Sequence, residues 1–142
     1  MEKITFEQIK EIIITECKAK NACQPEFKKL LAASNETDFW TVIKNNGYWA
    51  HNNGVISVEL FERYDIEVLK ENLIFIDGGT RSLSNGAVAI NYNGTVSENN
   101  GTVSYNGNNG TVSKNNGTGV VIERQNKKIY IKRNEFEIVY FD

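Results

Sequence analysis

Proline, histidine and methionine occur once each in this 142-residue chain, and cysteine twice. Cys17 and Cys23, with His51 as the lone imidazole, are too few and too dispersed for a structural zinc site. They are expected to be small buried side chains in a reducing compartment, with a local disulfide as the other reading. No uninterrupted apolar run reaches the roughly 18 residues that cross a bilayer, so no membrane span is expected. Charge of one sign is also scarce: the formal net charge is −2 with 24% charged residues, which gives no general attraction to nucleic acid or anionic lipid. Met1-Glu2-Lys3-Ile4 runs straight into an amphipathic pattern rather than a leader, and the expected location is the cytoplasm. The Asn-Gly-Thr triplets at Asn93, Asn100, Asn109 and Asn116 match a glycosylation acceptor, but without secretion they are repeat chemistry.

What is present divides at about residue 72. Thr5 and Gln8 have capping-box spacing, and Phe6, Ile9, Ile13 and Cys17 then form one stripe of a helix running to about Ala19. Pro25 suits the first turn of a second helix, with Phe27, Leu30 and Leu31 inward and an end near Ala33. Ser34 or Asn35 can cap a third, whose buried face is Phe39, Val42 and Ile43, and Tyr48 and Trp49 begin a short further segment after Gly47. Ser57 and Asp65 cap two more, carrying Leu60, Phe61 and Tyr64, then Ile66, Val68 and Leu69. Residues 1–72 are therefore predicted to form a small helical bundle. Trp40, Trp49 and His51 are its candidate functional side chains. Tryptophan in so small a module usually belongs to core or interface, and Trp40 and Trp49, if exposed, would mark a partner surface.

Residues 73–142 are predicted to be β-structure. Leu73-Ile74-Phe75-Ile76 makes a first strand, stopped by Asp77-Gly78-Gly79. Five units built on Asn-Gly-Thr-Val-Ser then begin at Asn85, Asn93, Asn100, Asn109 and Asn116, at intervals of eight, seven, nine and seven. One valine per unit cannot form a core. Stacking could bury Val88, Val96, Val103, Val112 and Val120 as one continuous column, which favours a β-solenoid. Asn-Gly is also a strong hairpin signal, so an antiparallel meander is a second reading, and the Asn- and Gly-rich stretch 91–119 could equally be a linker. From about residue 120, Val120-Val121-Ile122, Lys128 to Lys132 and Phe136 to Tyr140 give three strands that could cap the stack or pair across a homo-oligomer. The fold class expected is α+β, a helical bundle followed by a short β-solenoid with a three-strand cap.

Little chemistry rises from these residues. The repeat glycines are not followed by the Lys-Ser/Thr of a phosphate loop, and calcium-binding glycine repeats need an aspartate per unit. Solenoid acyltransferases need a histidine, whereas His51 belongs to the helical part. No enzyme activity and no cofactor or metal is expected. Arg124, Lys127, Lys128, Lys132 and Arg133 crowd around Tyr130, and in a strand Lys128, Tyr130 and Lys132 share one face. That face suits phosphates or an acidic protein patch, or else the lysines protect a sheet edge.

The segments Cys17-Lys18-Ala19-Lys20-Asn21-Ala22-Cys23, Phe27-Lys28-Lys29-Leu30-Leu31-Ala32 and Phe39-Trp40-Thr41-Val42-Ile43-Lys44, followed by Thr-Val repeats, resemble small proteins of phages and prophages of anaerobic gut and oral bacteria. Such proteins include anti-CRISPR and other anti-defence inhibitors. The resemblance implies a non-enzymatic interaction protein that binds a protein partner, a CRISPR effector or other immune protein, and acts by occlusion. A phage or surface spacer protein, and a protein that sequesters a nucleotide signal with the cations between Arg124 and Arg133, are the alternatives.

Overall fold

The computed structural model describes the backbone of residues 2–83, 87–99, 102–103, 106–107, 111–112, 120–125, 128–133 and 136–141, with side chains at 2–81, 88–97 and 102–103. The fold class is α+β. The chain divides into two compact units, Met1–Asn72 and Leu73–Asp142.

The first unit holds six helices, α1 (Phe6–Ala19), α2 (Gln24–Ala32), α3 (Glu36–Asn45), α4 (Gly47–Asn52), α5 (Val58–Glu62) and α6 (Ile66–Glu71). Their starts are set by side chains that satisfy backbone N–H groups otherwise lacking partners. At α1, Gln8 N donates to Thr5 Oγ1 at 3.2 Å while Thr5 N donates to Gln8 Oε1 at 2.8 Å, so the capping box is complete. Asn35 accepts from Asp38 N at 2.8 Å, Ser57 from Leu60 N at 3.1 Å and Asp65 from Glu67 N at 3.0 Å. Pro25 lies in the first turn of α2, where its missing N–H leaves no bond unmade. Ile4 N donates to Arg63 O at 2.8 Å, tying the start of the unit to the end of α5.

The helical stripes enclose Ile9, Ile13, Phe39, Trp40, Phe61 and Leu69, none with measurable exposure. Each contributes roughly 1.5–3 kcal/mol relative to leaving it in water. Trp40 stands at the centre of edge-on and tilted ring contacts, 5.2 Å from Phe39, 6.0 Å from Phe61 and 5.6 Å from Tyr64 between centroids. Leu31, expected inward, is 51% exposed, whereas Leu30 is buried. A nine-residue helix lying across its neighbours buries a narrow stripe, and Leu31 sits one step, about 100°, beyond it.

Tyr64 is 4% exposed, and its phenol is pushed up to about 12, by burial first, with the Glu36 and Asp65 carboxylates adding. Because the folded value lies above the ordinary 10, the unfolded chain ionises first. The stability held by neutral Tyr64 is complete below pH 10 and is lost as pH rises from there through about 12. Tyr64→Phe has no such proton to lose. The stability advantage of the unsubstituted chain over this variant, measured by urea unfolding, should therefore shrink across that interval. An advantage constant with pH would contradict the assignment.

Among its described residues the second unit has eleven strands: β1 (Ile74–Phe75), β2 (Thr80–Leu83), β3 (Ala87–Val88), β4 (Ile90–Tyr92), β5 (Thr95–Asn99), β6 (Thr102–Val103), β7 (Asn106–Gly107), β8 (Thr111–Val112), β9 (Val120–Gln125), β10 (Lys128–Arg133) and β11 (Phe136–Phe141). Among the first nine, each strand pairs in parallel with the strand three places on. The sheet orders are β1-β4-β7, β2-β5-β8 and β3-β6-β9, the last extended by antiparallel β10 and β11. The register offset is 15 or 16 residues where Ile74 meets Ile90, Thr80 meets Thr95, Ala87 meets Thr102 and Asn91 meets Asn106, and 18 where Thr102 meets Val120. Parallel pairing of these strands is incompatible with the hairpin meander, which requires antiparallel neighbours.

Register also corrects the single valine column. Val88 meets Val103 and Val103 meets Val121, while Val96 meets Val112 in a different sheet, and Val120 meets Thr102. Alternate repeats share a ladder because two consecutive repeat intervals, 15 or 16 residues, equal the offset of Val88 to Val103 and of Val96 to Val112. Val88, Val96 and Val103 are completely buried and form one cluster with Phe75 against it. At the first rung of the second ladder Arg81 stands where Val96 and Val112 follow. Its guanidinium lies 3.7 Å over the Phe75 ring and 2.9 Å from Asp77 Oδ1, so its charge is paired while its flat face covers the aromatic.

The corners have their own chemistry. Asn93 adopts a left-handed φ of 63°, a conformation asparagine tolerates, which turns the chain between β4 and β5. Buried Asn91 donates from Nδ2 to Gly94 O at 3.0 Å. A Cβ on Gly94 would fall 2.5 Å from Asn91 Oδ1 and 3.3 Å from Gly79 O, so only glycine lets the chain pass this close.

Candidate functional site

The helical unit contains an apolar cleft of about 170 Å³, lined chiefly by Cys17 from α1, Phe27 and Leu30 from α2, Val42 and Ile43 from α3 and Trp49 from α4. Cys23, at the cap of α2, stands at its edge. The polar lip is pre-organised: Asn46 Nδ2 donates to Glu26 Oε2 and to Val42 O, each at 2.9 Å, and Lys29 Nζ lies 2.8 Å from Glu26 Oε1. The Lys29 ammonium, with Asn46 second, holds the Glu26 carboxyl below the usual carboxylate range. Chemically the cleft can accept a small apolar group, with an anchored carboxylate and an amide beside it.

The two tryptophans separate. Trp49 is half-buried and lines the cleft, as a partner surface would need. Trp40 is wholly buried, which removes it from the candidate aromatic surface and makes it the hub of the core. The sequence misled here because Phe39, Trp40 and Ile43 are all enclosed, a broader arc of α3 than the expected stripe. Leu30, Val42 and Phe27 were legible only as helix faces, since the gap between helices depends on their packing. His51 is half-buried in α4, and burial drives its imidazole below the ordinary value while Glu59 pulls the other way.

The cysteines also differ, against the expectation that both are buried. Cys17 is buried and Cys23 exposed, and both are free thiols. Burial, with the Glu16 carboxylate, pushes the Cys17 thiol up and keeps it protonated. In native protein one thiol per chain should react promptly with an aromatic disulfide reagent, and the second should react only after denaturation. Equal, rapid reaction of both would contradict the burial of Cys17.

Of the basic candidates, Arg124 lies in β9, and Lys128, Tyr130, Lys132 and Arg133 lie in β10; Lys127 lies outside the described residues. β10 is not an edge. It runs between β9 and β11, so protection of a sheet edge is not what its lysines provide. Register places Glu123 opposite Tyr130 and Glu137 opposite Lys132, interleaving acidic positions with the basic ones.

Among the described residues no group of His, Cys, Asp and Glu could hold a metal ion, and no helix is long and apolar enough to cross a membrane. Compared with known proteins, the chain matches no family model, no curated protein and no solved structure.

Proposed function

We propose that this chain is a non-enzymatic protein-interaction module, a phage-type inhibitor that binds a component of a bacterial immune system, such as a CRISPR effector, and acts by occluding it. Its second unit is, in this reading, a short three-sided β-solenoid in which two repeats complete one coil. The observation that supports the reading is the parallel pairing of every third strand about buried Val88, Val96 and Val103. Each rung fixes the next through backbone hydrogen bonds, and a face ordered before binding loses little entropy when a partner docks. Steric occlusion needs no more than such a face and a specific contact, for which the cleft beside Trp49 and the β9–β10 cations are the candidates.

The test is capture by the tagged chain from cells carrying defined CRISPR and other immune effectors, followed by assay of the recovered effector. Recovery of one effector, with its activity blocked by the purified chain, supports the proposal; failure across several systems contradicts it. The repeating rungs also favour a spacer or stalk as the second reading. A stalk predicts a stable symmetric trimer or larger assembly by light scattering.

A further inference from the structure

The order of strands in the largest sheet, β11-β10-β9-β6-β3, leaves β11 at its outer edge, and among the described residues nothing pairs with its far side. Sheet edges invite pairing with another chain unless they are short, charged, broken by proline or covered. The other end strands, β1, β2, β3, β7 and β8, have only two to four residues. β11 has six, Phe136-Glu137-Ile138-Val139-Tyr140-Phe141, with no proline and no lysine. The cations that could blunt an edge sit one strand inward, on β10.

We propose that β11 is a homodimer interface, pairing antiparallel with β11 of a second copy of this chain. A two-fold axis perpendicular to a sheet keeps every residue on its own face, so the central pair must be one residue opposite itself. Centring on Ile138 sets Phe136 against Tyr140 twice, Ile138 against Ile138, and Glu137 against Val139. The sequence reads alike in both directions about Ile138: aromatic, other, isoleucine, other, aromatic. Aromatic pairs stabilise a sheet and facing like charges destabilise it, and this register supplies the former while keeping the two Glu137 carboxylates from meeting. That self-complementarity selects a second copy over an unrelated strand. The inference rests on strand order and on the sequence of β11, and stands whether or not the chain inhibits an immune effector.

Light scattering of the full chain is expected to give twice the monomer mass. Ile138→Lys sets two ammonium groups face to face and should return the mass to that of the monomer with an unchanged far-ultraviolet spectrum. Should that variant fail to fold, Ile138→Cys in a Cys23→Ser background decides. Mild oxidation should link two chains through residue 138, whereas Phe136→Cys in the same background, opposite Tyr140, should link far less. A monomeric mass at high micromolar concentration, a trimer or larger mass, or equal linking at both positions would overturn the proposal.

Discussion

Trp40→Ala is expected to lower the stability of the helical unit by about 3–5 kcal/mol, the usual cost of emptying a large aromatic site. The indole is wholly buried and touches the rings of Phe39, Phe61 and Tyr64, which come from α3, α5 and the turn after it. Removing it opens a void between elements that cannot all collapse inward. Trp49→Ala, at the half-exposed lip of the cleft, should cost much less. Urea unfolding of the two variants distinguishes a core tryptophan from a surface one. Near-equal losses would contradict the separation of their roles.

Val103→Asp carries the second large effect. Val103 has no exposed area, lies in register between Val88 and Val121, and clusters with Val88 and Val96. A carboxylate there has neither water nor a partner, and an uncompensated buried charge costs on the order of 3–5 kcal/mol. Burial raises the folded pKa of the new acid above its unfolded value of about 4, so the penalty should be smallest below that pH and grow as pH rises. Thermal melts at acid and neutral pH should show this divergence from the unsubstituted chain. A variant indistinguishable at neutral pH would place residue 103 in solvent.

Local chemistry was readable and long-range register was not. Thr5 with Gln8, Asn35, Ser57, Asp65 and Pro25 announce helix starts because a cap and its target lie within three residues of each other. The strands at 120–125, 128–133 and 136–141 were legible through alternation and turn residues. Leu31 and Trp40 were misplaced because a helix stripe tells which side is apolar, not how wide an arc neighbouring helices will cover. One valine per repeat suggests a single column, yet the paired repeat strands lie two repeats apart. The ladder of Ile74 and Ile90, with Phe75, Asn91 and Asn106, is not legible in the sequence because no repeat motif marks it, although its spacing of 15 or 16 residues is that of Val88 to Val103 and Val96 to Val112.

The same limit governed the functional candidates. Lys128 and Lys132 share a strand parity that any sequence reading finds, but whether that strand is an edge depends on what pairs with it. Trp49 and Cys23 meet at one cleft only because α2 and α4 converge there.

Amide hydrogen exchange resolved to single residues in the second unit tests the parallel ladders most directly. Slow exchange is expected at Val88, Val96 and Val103 and at the rung amide of Thr95, which donates to Gly79 O at 2.8 Å, all rising together in denaturant as one cooperative block. Exchange at these amides as fast as in an unstructured peptide, while the helical unit remains protected, would contradict it.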